Sequence, residues 1–338
     1  MKKPGIHDDQ PDTLPRLLAR NRQAFGDRVG LREKDYGIWQ EISWNRYYEH
    51  VKQFCLGAVS LGLKKGDKLA ILGDNCREWL YADLGAQAAG AVPVGVYATN
   101  PPQQVEYVLR HSDSVLVVVK DQEQADKVLE VMGALPLLKK IIVIDMKGLR
   151  HYDDPHIISF DQVEALGRKK AEENPQFFES LISEIRADDV ALMVYTSGTT
   201  GPPKGAMLTH KNLLSLAEAF SKVAHFSPED EVVSYLPLCH IAERLMSVIL
   251  ALYAGYTVNF AESLETIQEN LYEISPTIFV GVPRIWEKMH SSIRIRMEDA
   301  SWFKRRVYSF WMPIGRKMVE RSLLKGRDSL GRRALYRL

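Results

Sequence analysis

The 338 residues are 46% hydrophobic and 26% charged at a formal net charge of +1, an ordinary globular balance that argues against nucleic acid as the main partner. Cys55, Cys76 and Cys239 stand far apart with no CxxC spacing, which excludes a disulfide framework or a cysteine zinc site and suits a reducing, cytoplasmic setting. The N-terminal MKKPGIHDDQPDTLP has no apolar core and is not a secretory signal, and the apolar run 245–261 is 17 residues with Gly255 and Asn259 inside it, short of a membrane span.

In chain order, 13–25 has the periodicity of a short amphipathic helix, 39–44 (WQEISW) alternates like a strand, and 45–61 reads as a helix closed by Gly62. Strand and helix then alternate. Strands are expected at 67–73, 92–97, 114–119 and 140–145, and helices at 77–90, from Asn100-Pro101-Pro102 to His111, and at 122–135. Continuous apolar strands separated by helices indicate a mostly parallel sheet covered on both faces. From 151 to 184 the chain turns polar, with Arg168, Lys169, Lys170, Glu172 and Glu173 together, and reads as a solvated connection between two lobes, 1–185 and 186–338.

The apolar run 190–194 (VALMV) reads as a buried strand leading into YTSGTTGPPKGAMLTH, residues 195–210. Thr196, Ser197, Thr199 and Thr200 are interleaved with Gly198 and Gly201, and Lys204 follows Pro202 and Pro203. Glycines let successive N–H groups turn inward as an anion nest, hydroxyls add donors, and lysine adds a full charge. This is the chemistry of a phosphate cradle. It is not a Walker A loop, which needs Gly-Lys-Ser/Thr four residues after its first glycine; five on from Gly198 is Pro203, and Lys204 is followed by Gly205 and Ala206.

YTSGTTGPPKG resembles the signature of the adenylate-forming superfamily of acyl-CoA synthetases, luciferases and nonribosomal adenylation domains. The resemblance implies that ATP is attacked at its α-phosphate by a carboxylate, giving an acyl-adenylate. It assigns ATP phosphates to Thr196, Ser197, Gly198, Thr199, Thr200, Gly201 and Lys204, with Lys204 and Thr199 as catalytic residues and Thr199 as the Mg²⁺-side hydroxyl. The fold it implies is α/β, with stacked αβαβα layers and two mostly parallel sheets. Beyond the loop, helices are expected at 211–220, 240–254 and 264–274, strands at 231–236, 256–260 and 277–280, and a long helix from Pro283.

Two further segments resemble the long-chain fatty acyl-CoA synthetase branch. YLPLCHIAERL (235–245) is similar to an LP-x-x-H segment that lines the acyl pocket, with His240, Glu243 and Arg244 on one helical face. VGVPRIWEKMH (280–290) is similar to a VPR-x-W/Y-E-K segment; Gly281 and Pro283 are the pocket candidates, since loops at the carboxyl ends of parallel strands form ligand clefts. The resemblance therefore implies fatty acid, ATP, CoA and Mg²⁺ as partners, and says nothing of oligomeric state.

Residues 304–338 hold 11 Lys/Arg against Glu320 and Asp328, near Trp302, Phe303, Phe310 and Trp311. Two readings stand: a solvated arm with an apolar packing stripe, or peripheral contact with an anionic membrane surface. The family's YG-x-TE glutamate, TGD aspartate and second lysine find no match, and the one G-x-T after His210, Gly255-Tyr256-Thr257, precedes Val258. The chain thus resembles a truncated, N-terminal portion. Taken alone it is expected to be catalytically silent, and a non-catalytic nucleotide- or acyl-binding remnant is the alternative to a ligase.

Overall fold

Apolar side chains on both faces of a strand require cover on both faces, and in parallel sheets helices supply it. The computed structural model, which describes residues 11–196, 201–263 and 265–325, follows that rule. The chain opens with α1 (Leu14–Phe25), a hairpin of β1 (Val29–Asp35) and β2 (Ile38–Ser43), and α2 (Trp44–Ser60). It alternates through β3 (Lys68–Leu72), α3 (Arg77–Ala88), β4 (Val92–Val96), α4 (Pro102–His111), β5 (Ser114–Val119), α5 (Gln122–Val131) and β6 (Lys140–Val143). Next come β7 (Ile157–Ser159), α6 (Phe160–Glu173), α7 (Phe177–Ser183), β8 (Val190–Thr196), β9 (Lys204–Thr209) and α8 (His210–Val223). β10 (Glu231–Ser234) leads to α9 (Ile241–Arg244), a π-helical stretch (Leu245–Leu250), α10 (Ala251–Ala254) and β11 (Thr257–Phe260). Helices α11 (Ile267–Ile274), α12 (Pro283–Glu298) and α13 (Trp302–Lys325) follow.

Seven strands form one sheet in the order β7-β6-β5-β3-β4-β8-β9, parallel except for the β8–β9 pair. Four form a second, β10-β11-β1-β2, parallel except for β1–β2. These are the two mostly parallel sheets that the sequence predicts. Alternate residues of the central strands part to opposite faces. Leu69, Ile71, Leu116 and Val118 share a core with α2, α3 and α6, while Ala70, Leu72, Val117 and Val119 pack with α4 and α5. Helix α2 touches β1 and β2, and α3 touches β3 and β4, so these helices fill the space between the sheets.

Several elements differ from expectation. Residues 151–184 form β7, α6 and α7 rather than a connection. Their polar appearance comes from the outer face of α6, where Arg168, Lys169, Glu172 and Glu173 are exposed, whereas Phe160, Val163 and Gly167 are buried. Both sheets draw strands from either side of the expected 185/186 division, β8 and β9 joining β3 to β7, and β1 and β2 joining β10 and β11. By its internal packing the chain divides into two compact units between Ile278 and Phe279. The strand expected at 277–280 reduces to one bridge, Ile278 to Val232. The second unit contains α12 and α13, which touch each other, and no described helix is long and apolar enough to cross a membrane.

Helix α6 lies on α2 at a distance only glycine permits. A Cβ added at Gly57 would sit 1.9 Å from the Val163 carbonyl oxygen, and one at Gly167 would sit 1.7 Å from that of Gln53. Gly57→Ala is therefore expected to destabilise the fold by about 1–3 kcal/mol or more, because the helices must part. Gly133→Ala, where an added Cβ meets nothing within 4 Å, is the control. Urea midpoints of the two variants check this.

His210 ties the start of α1 to the start of α8. Its Nδ1 accepts from the Leu14 N–H at 3.3 Å, supplying the cap that Thr13 does not provide for α1. Burial pushes its pKa from 6.5 down to about 4, and protonating Nδ1 would remove the acceptor. Between those values the unfolded chain holds the extra proton, so stability falls as pH drops. The integrated loss is about 3 kcal/mol. Urea unfolding between pH 7.5 and 4.5 is expected to show this slope in the parent and lose most of it in His210→Gln.

Candidate functional site

Strands β8 and β9 form the antiparallel stem of the hydroxyl-and-glycine loop. Tyr195 pairs with Gly205 and Thr196 with Lys204. Directly opposed residues of such a ladder share a face, so the last hydroxyl before the loop and the lysine after it stand together, both exposed. Ser197, Gly198, Thr199 and Thr200 lie outside the described residues. Gly201 has φ +108°, where side chains are rarely tolerated, although an added Cβ would meet open space. Backbone conformation, not room, requires glycine there.

Helix α4 holds the stem. The Tyr195 hydroxyl lies 2.7 Å from His111 Nδ1, and the Tyr107 hydroxyl donates to the Pro203 carbonyl at 2.8 Å. Tyr107 stacks on His111 at 5.4 Å and meets Tyr195 edge-on at 6.5 Å. Burial, with Tyr107 nearby, pushes the Tyr195 pKa up to about 12, so this phenol keeps its proton. Among the described residues no group of three or more His, Cys, Asp or Glu converges to hold a metal ion.

The expected acyl segment follows β10. His240 is exposed and caps α9, its Nδ1 accepting from the Ala242 N–H at 3.1 Å. Arg244 is fully buried, ion-paired with the equally buried Asp83 of α3, and its guanidinium lies 4.7 Å from the centre of the Trp79 ring. Its Nε and Nη1 have no hydrogen-bond partner among the described residues. Glu243, also buried, accepts from the Leu236 N–H at 3.2 Å and bonds the Ser247 hydroxyl, and burial raises its pKa. The three residues expected on one helical face thus divide: His240 outward, Glu243 and Arg244 inward. In the second unit, Pro283 is the first residue of α12, and the Gly281 carbonyl accepts from the Trp286 indole at 2.8 Å.

Sequence reading missed Asn75, Asp83, Tyr107 and His111, all of which reach the two segments from α3, α4 or the β3–α3 loop. Only Asn75 carried a signal, since it follows a parallel strand at its carboxyl end. Two charged clefts, one of about 340 Å³ beside His50, Tyr81 and Glu164 and one of about 620 Å³ beside Arg16, Lys65 and Asp189, include no residue of either segment.

A family model of AMP-binding enzymes matches residues 18–327. The chain belongs to the AMP-binding enzyme family. Human long-chain-fatty-acid–CoA ligase ACSBG2 is 32% identical over 329 residues, covering 96% of this chain and 48% of that protein. Among solved structures, anthranilate CoA ligase AuaEII in complex with anthranoyl-AMP superposes with a TM-score of 0.68 at 22% identity, covering 80% of this chain and 49% of that one. The inhibitor-bound N-terminal domain of FACL13 from Mycobacterium tuberculosis gives 0.66 at 22%, covering 82% and 64%. At such identity these structures speak to the fold alone. The chain spans about half the length of the curated relatives it matches.

Proposed function

We propose that this chain carries the ATP and acyl sites of a long-chain fatty acid–CoA ligase. The observation that carries the reading is the β8–β9 hairpin, which sets Thr196 and Lys204 on one rung at the mouth of a loop with the family's phosphate-binding sequence. A carboxylate oxygen would attack the α-phosphorus of ATP, the bond to the β-phosphate oxygen would break, and pyrophosphate would leave. The thiol of CoA would then attack the acyl carbon, losing its proton as AMP departs. Lys204 and Thr196, with Ser197 to Gly201, would hold the β- and γ-phosphates. Mg²⁺, which binds through phosphate oxygens and few carboxylates, would arrive with ATP.

For the acyl end, we assign His240 to the pocket wall. Arg244, buried against Asp83, would act on the pocket through the helix start that it anchors. The 338 residues carry no YG-x-TE glutamate. Taken alone they are expected to make acyl-CoA at less than about a thousandth of a complete ligase's rate, since losing about 4 kcal/mol of preorganised charge costs that factor. The same residues would then serve as a nucleotide- or acyl-binding module.

The test supplies the polypeptide encoded by these residues and whatever follows them in their gene with ATP, Mg²⁺, CoA and one carboxylic acid at a time. Mass spectrometry should find acyl-CoA from lauric, palmitic and oleic acids and little from acetic or benzoic acid. Product from the short or aromatic acids alone would refute the long-chain assignment.

A further inference from the structure

The turn between β10 and His240 is held from its own side by Glu243 and from the other sheet by a single side chain. Asn75, in the loop between β3 and α3, donates from Nδ2 to the Leu236 carbonyl at 2.7 Å and to the Ser234 hydroxyl at 2.9 Å. Its Oδ1 accepts from the Leu238 N–H at 2.9 Å. Both ends of one amide are thus spent on residues about 160 positions away in sequence. Within the turn, Glu243 takes the Leu236 N–H, and the His240 N–H donates to the Pro237 carbonyl at 2.8 Å. From below, Gly95 of β4 lies so close that an added Cβ would meet the Cys239 Cα at 2.7 Å.

A loop containing proline has few backbone bonds of its own, so its shape is set by whatever satisfies its remaining groups. Here the Ser234 hydroxyl, the Leu236 carbonyl and the Leu238 N–H are all bonded by a single residue from the seven-stranded layer, while Glu243 takes the Leu236 N–H. We propose that Asn75 is the positioning residue of the acyl pocket: it fixes the 234–240 turn, and through it His240, from the opposite sheet. This rests on the acyl-pocket reading of His240.

A positioning role predicts a selective loss. Asn75→Ala removes all three bonds, and Ser234→Ala removes one. The 338-residue chain would be titrated with cis-parinaric acid, a fluorescent long-chain fatty acid, and separately with a fluorescent ATP analogue; hydrogen exchange would follow peptides covering 234–240. Asn75→Ala is expected to weaken parinarate binding about tenfold while leaving the ATP analogue within about twofold, with faster exchange at 234–240; Ser234→Ala should cost less than about threefold. Asn75→Asp, which keeps the acceptor for Leu238, should recover part of the loss. Parinarate affinity unchanged in Asn75→Ala, or both ligands weakening together with thermal stability, would overturn the inference. Failure of the parent chain to bind parinarate would overturn the pocket reading itself, and this inference with it.

Discussion

Arg244→Ala is expected to lower folding stability by about 3–5 kcal/mol, because it leaves the Asp83 carboxylate buried without its partner. Both side chains are at 0% exposure, so water cannot take over the lost interaction. For a domain whose total stability is about 5–15 kcal/mol, that is a large fraction. Burial already pushes the Asp83 carboxyl up against the opposing pull of Arg244. Without the arginine it rises further and protonates more readily in the folded state than in the unfolded one. The folded variant then binds the extra proton, so its deficit should grow as pH is raised and shrink as pH is lowered. Replacing both residues together, Asp83→Leu with Arg244→Met, should recover much of the loss, since an apolar pair of similar volume carries no desolvation cost. Urea unfolding of the parent, the single and the double variants at two pH values checks this. A single variant within about 1 kcal/mol of the parent would show that the pair is solvated, contrary to its burial.

Lys204→Ala is expected to reduce ATP affinity by roughly ten- to a hundredfold, the worth of about 1.5–3 kcal/mol for a hydrogen bond to a charged oxygen. The side chain is exposed and stands opposite Thr196 at the loop mouth, so folding should be unaffected within about 0.5 kcal/mol. Lys204→Arg keeps the charge but spreads it over a planar fork, and should restore only part of the affinity. Equilibrium binding of a fluorescent ATP analogue, alongside thermal unfolding, separates the two effects. Affinity within about twofold of the parent in Lys204→Ala would place the phosphates elsewhere.

Strands that are apolar along their whole length are legible in the amino-acid sequence. β5 reads SVLVVV and is buried at every position, so composition alone marks it. β1, a central strand of its sheet, is not legible, because VGLREKD looks like a polar turn. Its charges are neutralised mainly by partners distant in sequence: Arg32 pairs with Glu231 at 2.8 Å and Lys34 with Glu273 at 2.7 Å, while Glu41 of the neighbouring β2 adds a second partner for Arg32 at 3.0 Å. The loop proposed to hold phosphate is legible as chemistry, since hydroxyls, glycines and one lysine in sequence have few other uses. Helical spacing places Arg244 with His240, but spacing cannot tell the two sides of a short helix apart. What turns Arg244 inward is Asp83, 161 residues earlier. Asn75 and Tyr107 share that feature: each acts on a segment that chain order keeps remote.

The central claim is that this hairpin and turn serve carboxylate activation by ATP. It is tested most directly by the exchange of radiolabelled pyrophosphate into ATP, which reads the adenylation step without CoA. On the polypeptide encoded by these residues and the sequence following them in their gene, exchange should require Mg²⁺ and a long-chain fatty acid. It should fall at least about tenfold in Lys204→Ala. Exchange that proceeds equally without any carboxylate, or none with every carboxylate offered, would contradict the account.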